Sequence, residues 1–155
     1  MKLKYLPIFA VMALVSPVVA ASAPDPVHIT GNQFVVDETT NLATFTGNVV
    51  VTRTNFQLWA PKVVVDYGKD GPSNIKSFTA TGGVRIKTDS QDATGDMAVY
   101  DPATKRMHLT GNVMVKSGSG TIGSPDLVVD MVTNTSVFTG KAGKDGRVTG
   151  VFTPQ

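Results

Sequence analysis

Through most of the chain, apolar and polar residues alternate with a period of two. In Phe45-Thr46-Gly47-Asn48-Val49-Val50-Val51-Thr52, the residues Phe45, Val49 and Val51 fall on one side and Thr46, Asn48 and Thr52 on the other. Val84 and Ile86 oppose Arg85 and Lys87 in the same way, and Val113 and Val115 oppose Asn112, Met114 and Lys116. Successive side chains of a strand point to opposite faces, so the pattern predicts strands with one apolar face. Beyond the N-terminal segment no stretch has helical periodicity.

The strands form a repeat. One half-unit carries Gly47, Gly82, Gly111 and, in a worn copy at Phe138-Thr139, Gly140, spaced 35, 29 and 29 residues apart. The other ends in Phe34-Val35-Val36-Asp37, Val63-Val64-Val65-Asp66, Ala98-Val99-Tyr100-Asp101 and Leu127-Val128-Val129-Asp130, with aspartates spaced 29, 35 and 29 apart. Each of the first three glycines precedes the next of these aspartates by 19 residues. Such regularity marks one supersecondary unit stacked several times. In the second half-unit the apolar phase slips: Ile29, Leu58, Ala60, Ala93 and Ile122 share one phase, Gln33, Lys62, Met97 and Asp126 form a polar column, and apolar residues resume one position later. Pro61 and Pro125 stand at the slip, which predicts a bulge there. The recurrent glycine reads equally as a site of close backbone approach or as a turn glycine. Turns are expected at 38–41, 68–72, 102–105, 117–120 and 143–146, each rich in Gly, Pro, Asn, Asp, Ser or Thr. The fold class is all-β, and many short strands with tight turns point to a sandwich, jelly roll or solenoid.

The N-terminus departs from this pattern. Lys2 and Lys4 precede an apolar run from Leu6 to Val19, and small residues follow from Val18 to Ala23. That is the layout of a secretory signal peptide, with an apolar core too short for a comfortable span of roughly 20 residues. Cleavage is expected after Ala20, Ala21 or Ala23, dividing the chain into a signal peptide, 1–21, and one domain, 22–155. Without Lys2 and Lys4 the mature chain has 12 basic and 12 acidic residues, scattered singly. No clustered basic surface suggests nucleic-acid binding. The absence of cysteine excludes disulfides, thiolate metal sites and a cysteine nucleophile.

Little else carries chemistry. His28 and His108 alternate with apolar residues, with no acidic cluster beside either in sequence. The aspartates Asp37, Asp66, Asp101 and Asp130 lack the glycine-rich loop that cages calcium in repeat proteins and read as solvated strand ends. Serines lie in glycine-rich loops without a nucleophile elbow. The chain is therefore expected to be no enzyme, with no cofactor and no metal. What remains is the apolar face itself, with Phe34, Phe45, Phe56, Phe78, Tyr100 and Phe138 inward or at its rim. It reads equally as a closed core or as a binding surface.

The string Phe45-Thr46-Gly47-Asn48-Val49-Val50-Val51-Thr52, followed by Leu58-Trp59-Ala60-Pro61-Lys62-Val63-Val64-Val65, resembles the motif of the OstA-like (LptA-type) family of periplasmic lipopolysaccharide-transport bridge proteins. Pro26-Val27-His28-Ile29 resembles the first strand of that family, Leu109-Thr110-Gly111-Asn112 a later repeat, and Arg147 to Pro154 the closing strand, so the likeness covers essentially the whole mature chain. The chain departs from the family at Pro61, where a polar residue is usual, in the worn fourth glycine repeat, and in lacking a basic tail.

The resemblance implies an incompletely closed OstA-like β-jelly roll of repeated antiparallel strand pairs, located in the periplasm. It implies lipopolysaccharide as ligand, its lipid A acyl chains lying between the sheets, and transport from the inner to the outer membrane. Partners would be the inner-membrane transport complex and the outer-membrane translocon, reached by stacking of jelly rolls into a head-to-tail homo-oligomer. Taken with the apolar faces, it assigns to the groove Val27, Ile29, Phe34, Val36, Phe45, Val49, Val51, Leu58, Val63, Val65, Val84, Ile86, Tyr100, Val113, Val115, Val129 and Phe138. Thr46, Arg85 and Lys116 are expected to face water. The uncharged stretches Val27 to Val36 and Val148 to Thr153 are expected at the two open edges, with Val148 and Val151 in the seam. The rival readings are the membrane-anchored subunit of the same pathway, a β-solenoid structural protein and a closed lipocalin-like carrier.

Overall fold

The computed structural model describes residues 25–143 and 146–154. The expected signal peptide lies outside these residues, as do Lys144 and Asp145 of the last expected turn. The described residues form ten strands: β1 (His28–Thr30), β2 (Gln33–Asp37), β3 (Leu42–Arg53), β4 (Phe56–Asp66), β5 (Ser77–Thr88), β6 (Gln91–Asp101), β7 (Arg106–Ser117), β8 (Gly120–Asp130), β9 (Thr135–Thr139) and β10 (Thr149–Phe152). They make one sheet in the order β1-β3-β4-β5-β6-β7-β8-β10, with β2 also on β3 and β9 also on β8.

Every pairing is antiparallel. This removes the solenoid reading. Neither β1 nor β2 pairs with β9 or β10, so the sheet does not close, which removes the lipocalin reading. The expected all-β jelly roll, incompletely closed, is what the chain adopts.

Six strands are 11 or 12 residues long rather than short, because a bulge bends each pairing without ending it. The register skips between Thr46 and Val49, Thr81 and Val84, and Thr110 and Val113. On each of these strands two residues oppose one: Gly47-Asn48 opposes Pro61, Gly82-Gly83 opposes Asp96, and Gly111-Asn112 opposes Pro125. The extra residue thus sits on the glycine strand and not on the proline strand, correcting the placement expected from the apolar phase. The phase does slip at Pro61, between the buried Ala60 and Val63, while β3 keeps its own phase across the bulge.

The glycine is required for two reasons. The paired residues have left-handed backbone, with φ of 78° and 46° at Gly47 and Asn48, 92° and 96° at Gly82 and Gly83, and 76° and 48° at Gly111 and Asn112. Glycine and asparagine tolerate that region best. A Cβ on Gly47 would also lie 2.7 Å from the Asn32 side chain, one on Gly82 3.0 Å from Pro61, and one on Gly111 against the Asp96 carboxylate. Asn32, Pro61 and Asp96 occupy equivalent repeat positions, so three successive repeats each seat one side chain on the bare glycine of the next strand, whereas Gly140 meets the backbone of Gly146 and Arg147 instead.

This bulge line divides the sheet into two halves, one ending in β1 and β10 and the other in β2 and β9. Their inward residues meet in one apolar core containing Val49, Val51, Leu58, Val63, Val84, Ile86, Leu109, Val113, Val115 and Leu127. Two rows show the construction. Across the β1–β10 half the register aligns Ile29, Val51, Leu58, Ile86, Ala93, Val115, Ile122 and Gly150. Across the β2–β9 half it aligns Phe34, Phe45, Val63, Ala80, Ala98, Leu109, Leu127 and Phe138. Cross-strand neighbours of this kind are the stabilising unit of a sheet.

The recurrent aspartates do more than end strands. Asp37 accepts the backbone N–H groups of Thr39 and Thr40, Asp101 those of Ala103 and Thr104, and Asp130 those of Val132 and Thr133. Asp66 accepts that of Gly68. Each closes the turn after its strand, as short acidic side chains do. Hydrogen bonding from Thr40 holds the Asp37 carboxyl below the ordinary range, that from Thr104 does so for Asp101, and the Thr133 N–H followed by Arg106 does so for Asp130.

Candidate lipid groove

Between the two half-sheets lie two cavities, each walled by residues of both. The first, about 380 Å³, is lined by Val27, Val51, Phe56 and Leu58 from one half and Val63, Phe78, Ala80, Ala98, Tyr100, Met107 and Met131 from the other. The second, about 370 Å³, lies toward β8, with Ile86, Ala93, Val115, Ile122 and Phe152 facing Leu127, Val129, Ser136 and Phe138. Phe56, Met107 and Met131 border both. Apolar walls reaching from the β1 end to the β10 end suit aliphatic chains, since each methylene moved out of water contributes roughly 0.8 kcal/mol.

The structure brings most of the sequence-assigned residues together. Val49, Val51, Leu58, Val63, Val65, Val84, Ile86, Val113 and Val115 are buried on the inner face. Ile29, Phe45, Tyr100, Val129 and Phe138 are partly buried against them. Val27 lines the first cavity but is exposed, as are Phe34 and Val36 on β2. β2 has a neighbour on one side only, so about half of the Phe34 and Val36 side chains stays in water, and Val27 precedes β1. Phe34 stacks on Phe45 with ring centroids 4.4 Å apart.

Val148 and Val151 are also exposed, at the β10 edge. Val151 pairs with Thr121, and the register carries that row onward through Lys116 and Asp92, outside the groove. The inward residue of β10 is its neighbour Phe152, which lines the second cavity and was not singled out from sequence. Met107 and Met131 were missed likewise: Met107 sits in phase with Leu109, but Met131 stands in the turn after β8, where no periodicity marks it.

The outer face is mixed: on the β2–β9 half one row runs Val35, Thr44, Val64, Thr79, Val99, His108, Val128 and Val137, and the charged side chains lie among such rows. Arg85 is paired with Asp92, and its guanidinium lies 5.8 Å from the centre of the Trp59 ring. That pairing holds the Asp92 carboxyl below its usual range and the Arg85 guanidinium above its own. His108, without an acidic neighbour in sequence, does have one in space, because the β7–β8 register brings the Asp126 carboxylate to its Nε2. The pair is solvent-accessible and has no third group. Among the described residues no group of three or more His, Cys, Asp or Glu side chains could hold a metal.

The model of the family described as "LptA/(LptD N-terminal domain) LPS transport protein" matches residues 28–140. Among solved structures, the chain is similar to LptH, described as the LptA homologous periplasmic component of the conserved lipopolysaccharide transport device from Pseudomonas aeruginosa. The TM-score is 0.71 at 18% sequence identity, over 83% of this chain and 96% of that one. No curated relative matches the chain in sequence.

Proposed function

The chain belongs to the LptA/(LptD N-terminal domain) family of lipopolysaccharide transport proteins, and on that premise we propose that it is a periplasmic conduit holding lipid A acyl chains between its two half-sheets. Residues 1–21 direct export and are removed, and residues 22–155 form the working domain. The role is passive: the protein shields apolar chains from water, and direction comes from energy spent elsewhere.

The observation that carries this reading is the pair of apolar-walled cavities running between the two open ends of the sheet. A closed core of the same composition would leave no such space. Of the residues named from the sequence, Val27, Val51, Leu58, Val63, Ile86, Tyr100, Val115, Val129 and Phe138 line these cavities and are assigned to the groove with Met107, Met131 and Phe152, while Val49, Val65, Val84 and Val113 pack in the core beside it. Their exposed counterparts on β2 and β10 supply the second half of the proposal. Unpaired edge strands accept further strands through backbone hydrogen bonds. The two edges differ, so contact between copies is head-to-tail and extends rather than closing. Extension of this kind leads from the inner-membrane complex toward the outer-membrane translocon.

Photo-crosslinking residues placed one at a time on the inner and outer faces test the groove. Val63, Ile86 and Val115 are expected to label lipopolysaccharide, and Thr46, Arg85 and Lys116 are not. Equal labelling from both sets would overturn it.

A further inference from the structure

The inner column of β3 runs Val49, Val51, Arg53. Alternation puts all three on the groove side, and the last is a cation. The repeat supplies its own comparison: the equivalent positions on β5 and β7 are Thr88 and Ser117, both small hydroxyl residues lining the second cavity. Among the described residues, only in the first cavity does a strand end inward in a charge. Among that cavity's described lining residues the charged ones are Arg53 and Asp25, and they are partners. Arg53 Nε donates to Asp25 Oδ2 at 3.3 Å, and the Thr54 hydroxyl donates to Asp25 Oδ1 at 3.0 Å. A carboxylate is thus held at the rim of an apolar cavity by a guanidinium and a hydroxyl.

We infer that Arg53 and Thr54 form a seat for the anionic headgroup of an amphiphile whose chain lies in the first cavity, and that Asp25 occupies this seat when no headgroup is present. The inference rests on the reading of the interior as an acyl-chain site and adds to it a headgroup subsite with its own internal competitor. The chemistry is that of a phosphate or carboxylate. Two donors already converge on one anion, an arginine fork favours such oxyanions, and the position lies where a chain in the cavity would carry its polar end. Asp25 precedes β1 and is tied to the rim through side chains, in a pair that remains substantially open to solvent. A displaceable partner fits that arrangement.

Calorimetric titration of the full chain, below the micellar concentration of each probe, tests this with two amphiphiles of equal chain length. One is palmitoyl lysophosphatidic acid and the other is neutral monopalmitoylglycerol. The expected result is that Arg53→Gln weakens the phosphate amphiphile about tenfold and leaves the neutral one within about twofold. Arg53→Lys should fall between, and Asp25→Asn should tighten the phosphate amphiphile several-fold by removing the competitor. Unfolding midpoints of the variants, compared with the parent, confirm that each is folded.

Identical affinities for the two amphiphiles, unaffected by Arg53→Gln, would overturn the seat while leaving the groove intact. Failure of both amphiphiles to bind the parent would overturn groove and seat together. Inorganic phosphate should compete no better than chloride at equal ionic strength; stronger competition would mean a free-anion site and overturn the headgroup assignment.

Discussion

The middle of the sheet and its two ends are built from the same alternating pattern, yet they differ in what the pattern achieves. Along the row from Phe34 to Phe138, Val63 and Leu109 are each 1% exposed, whereas Phe34 at the edge is 54% exposed. At the other end Phe152, the inward side chain of β10, is 65% exposed. The difference is neighbours. An interior strand has one on each side and a facing half-sheet, while an edge strand lacks one of them. Alternation therefore specifies which face is apolar, and burial depends on whether another strand completes the row. In the proposed head-to-tail assembly, the opposite edge of a second copy would complete the row.

The sharpest contrast comes from deleting side chains in the two regions. Leu109→Ala, in the middle, is expected to cost about 2–5 kcal/mol by urea unfolding, combining lost burial with a residual cavity. Val151→Ala at the edge should change monomer stability by less than about 0.5 kcal/mol. Comparable losses at the two positions would break the distinction.

The bulge line comes next in size. Gly82→Ala places a side chain at φ of 92° and against Pro61, so a loss of about 1–2 kcal/mol is expected from the backbone alone. Gly143→Ala, in a loop toward the β10 end with open space around it, should cost no more than its own backbone strain. Equal effects at both would mean that seating Pro61 on the glycine contributes nothing.

Acid should act on the turns and spare the rows. Asp37, Asp101 and Asp130 have carboxyls held below their ordinary range, so the stability they contribute is present above about pH 4 and is lost as pH falls through their lowered values. Thermal midpoints should be level from pH 7 to 5 and fall below about pH 4. Asp101→Asn should flatten that fall slightly, and an unchanged acid limb would remove the turn-closing carboxylate from the account.

Much of this was legible in the residues. The period of two, the 29- and 35-residue spacings and the phase slip at Pro61 located the strands, the repeat and the level of the bulge. The strand carrying the extra residue was hidden, because apolar phase reports where a side chain points and says nothing of which partner supplies two residues to one. The Gly-Asn and Gly-Gly pairs were the available signal, since they tolerate left-handed backbone. The His108–Asp126 pair and the two pairings of β3, one on each side of the Gly31-Asn32 break, are cross-strand facts that spacing alone does not contain. Arg53 was visible throughout as the charged residue at the end of an apolar column, but its significance depended on Asp25 reaching the same rim.

The most direct test of completion at the edges is the mass in solution across a concentration series, by size-exclusion chromatography with light scattering. The parent should rise from monomer to extended assemblies without a plateau at the dimer. Val148→Asp and Val151→Asp should remain monomeric at the same concentrations with parent-like unfolding midpoints, while Leu109→Ala, below its own unfolding midpoint, should still associate. A parent that stays monomeric at every concentration, or edge variants that associate as it does, would contradict the account.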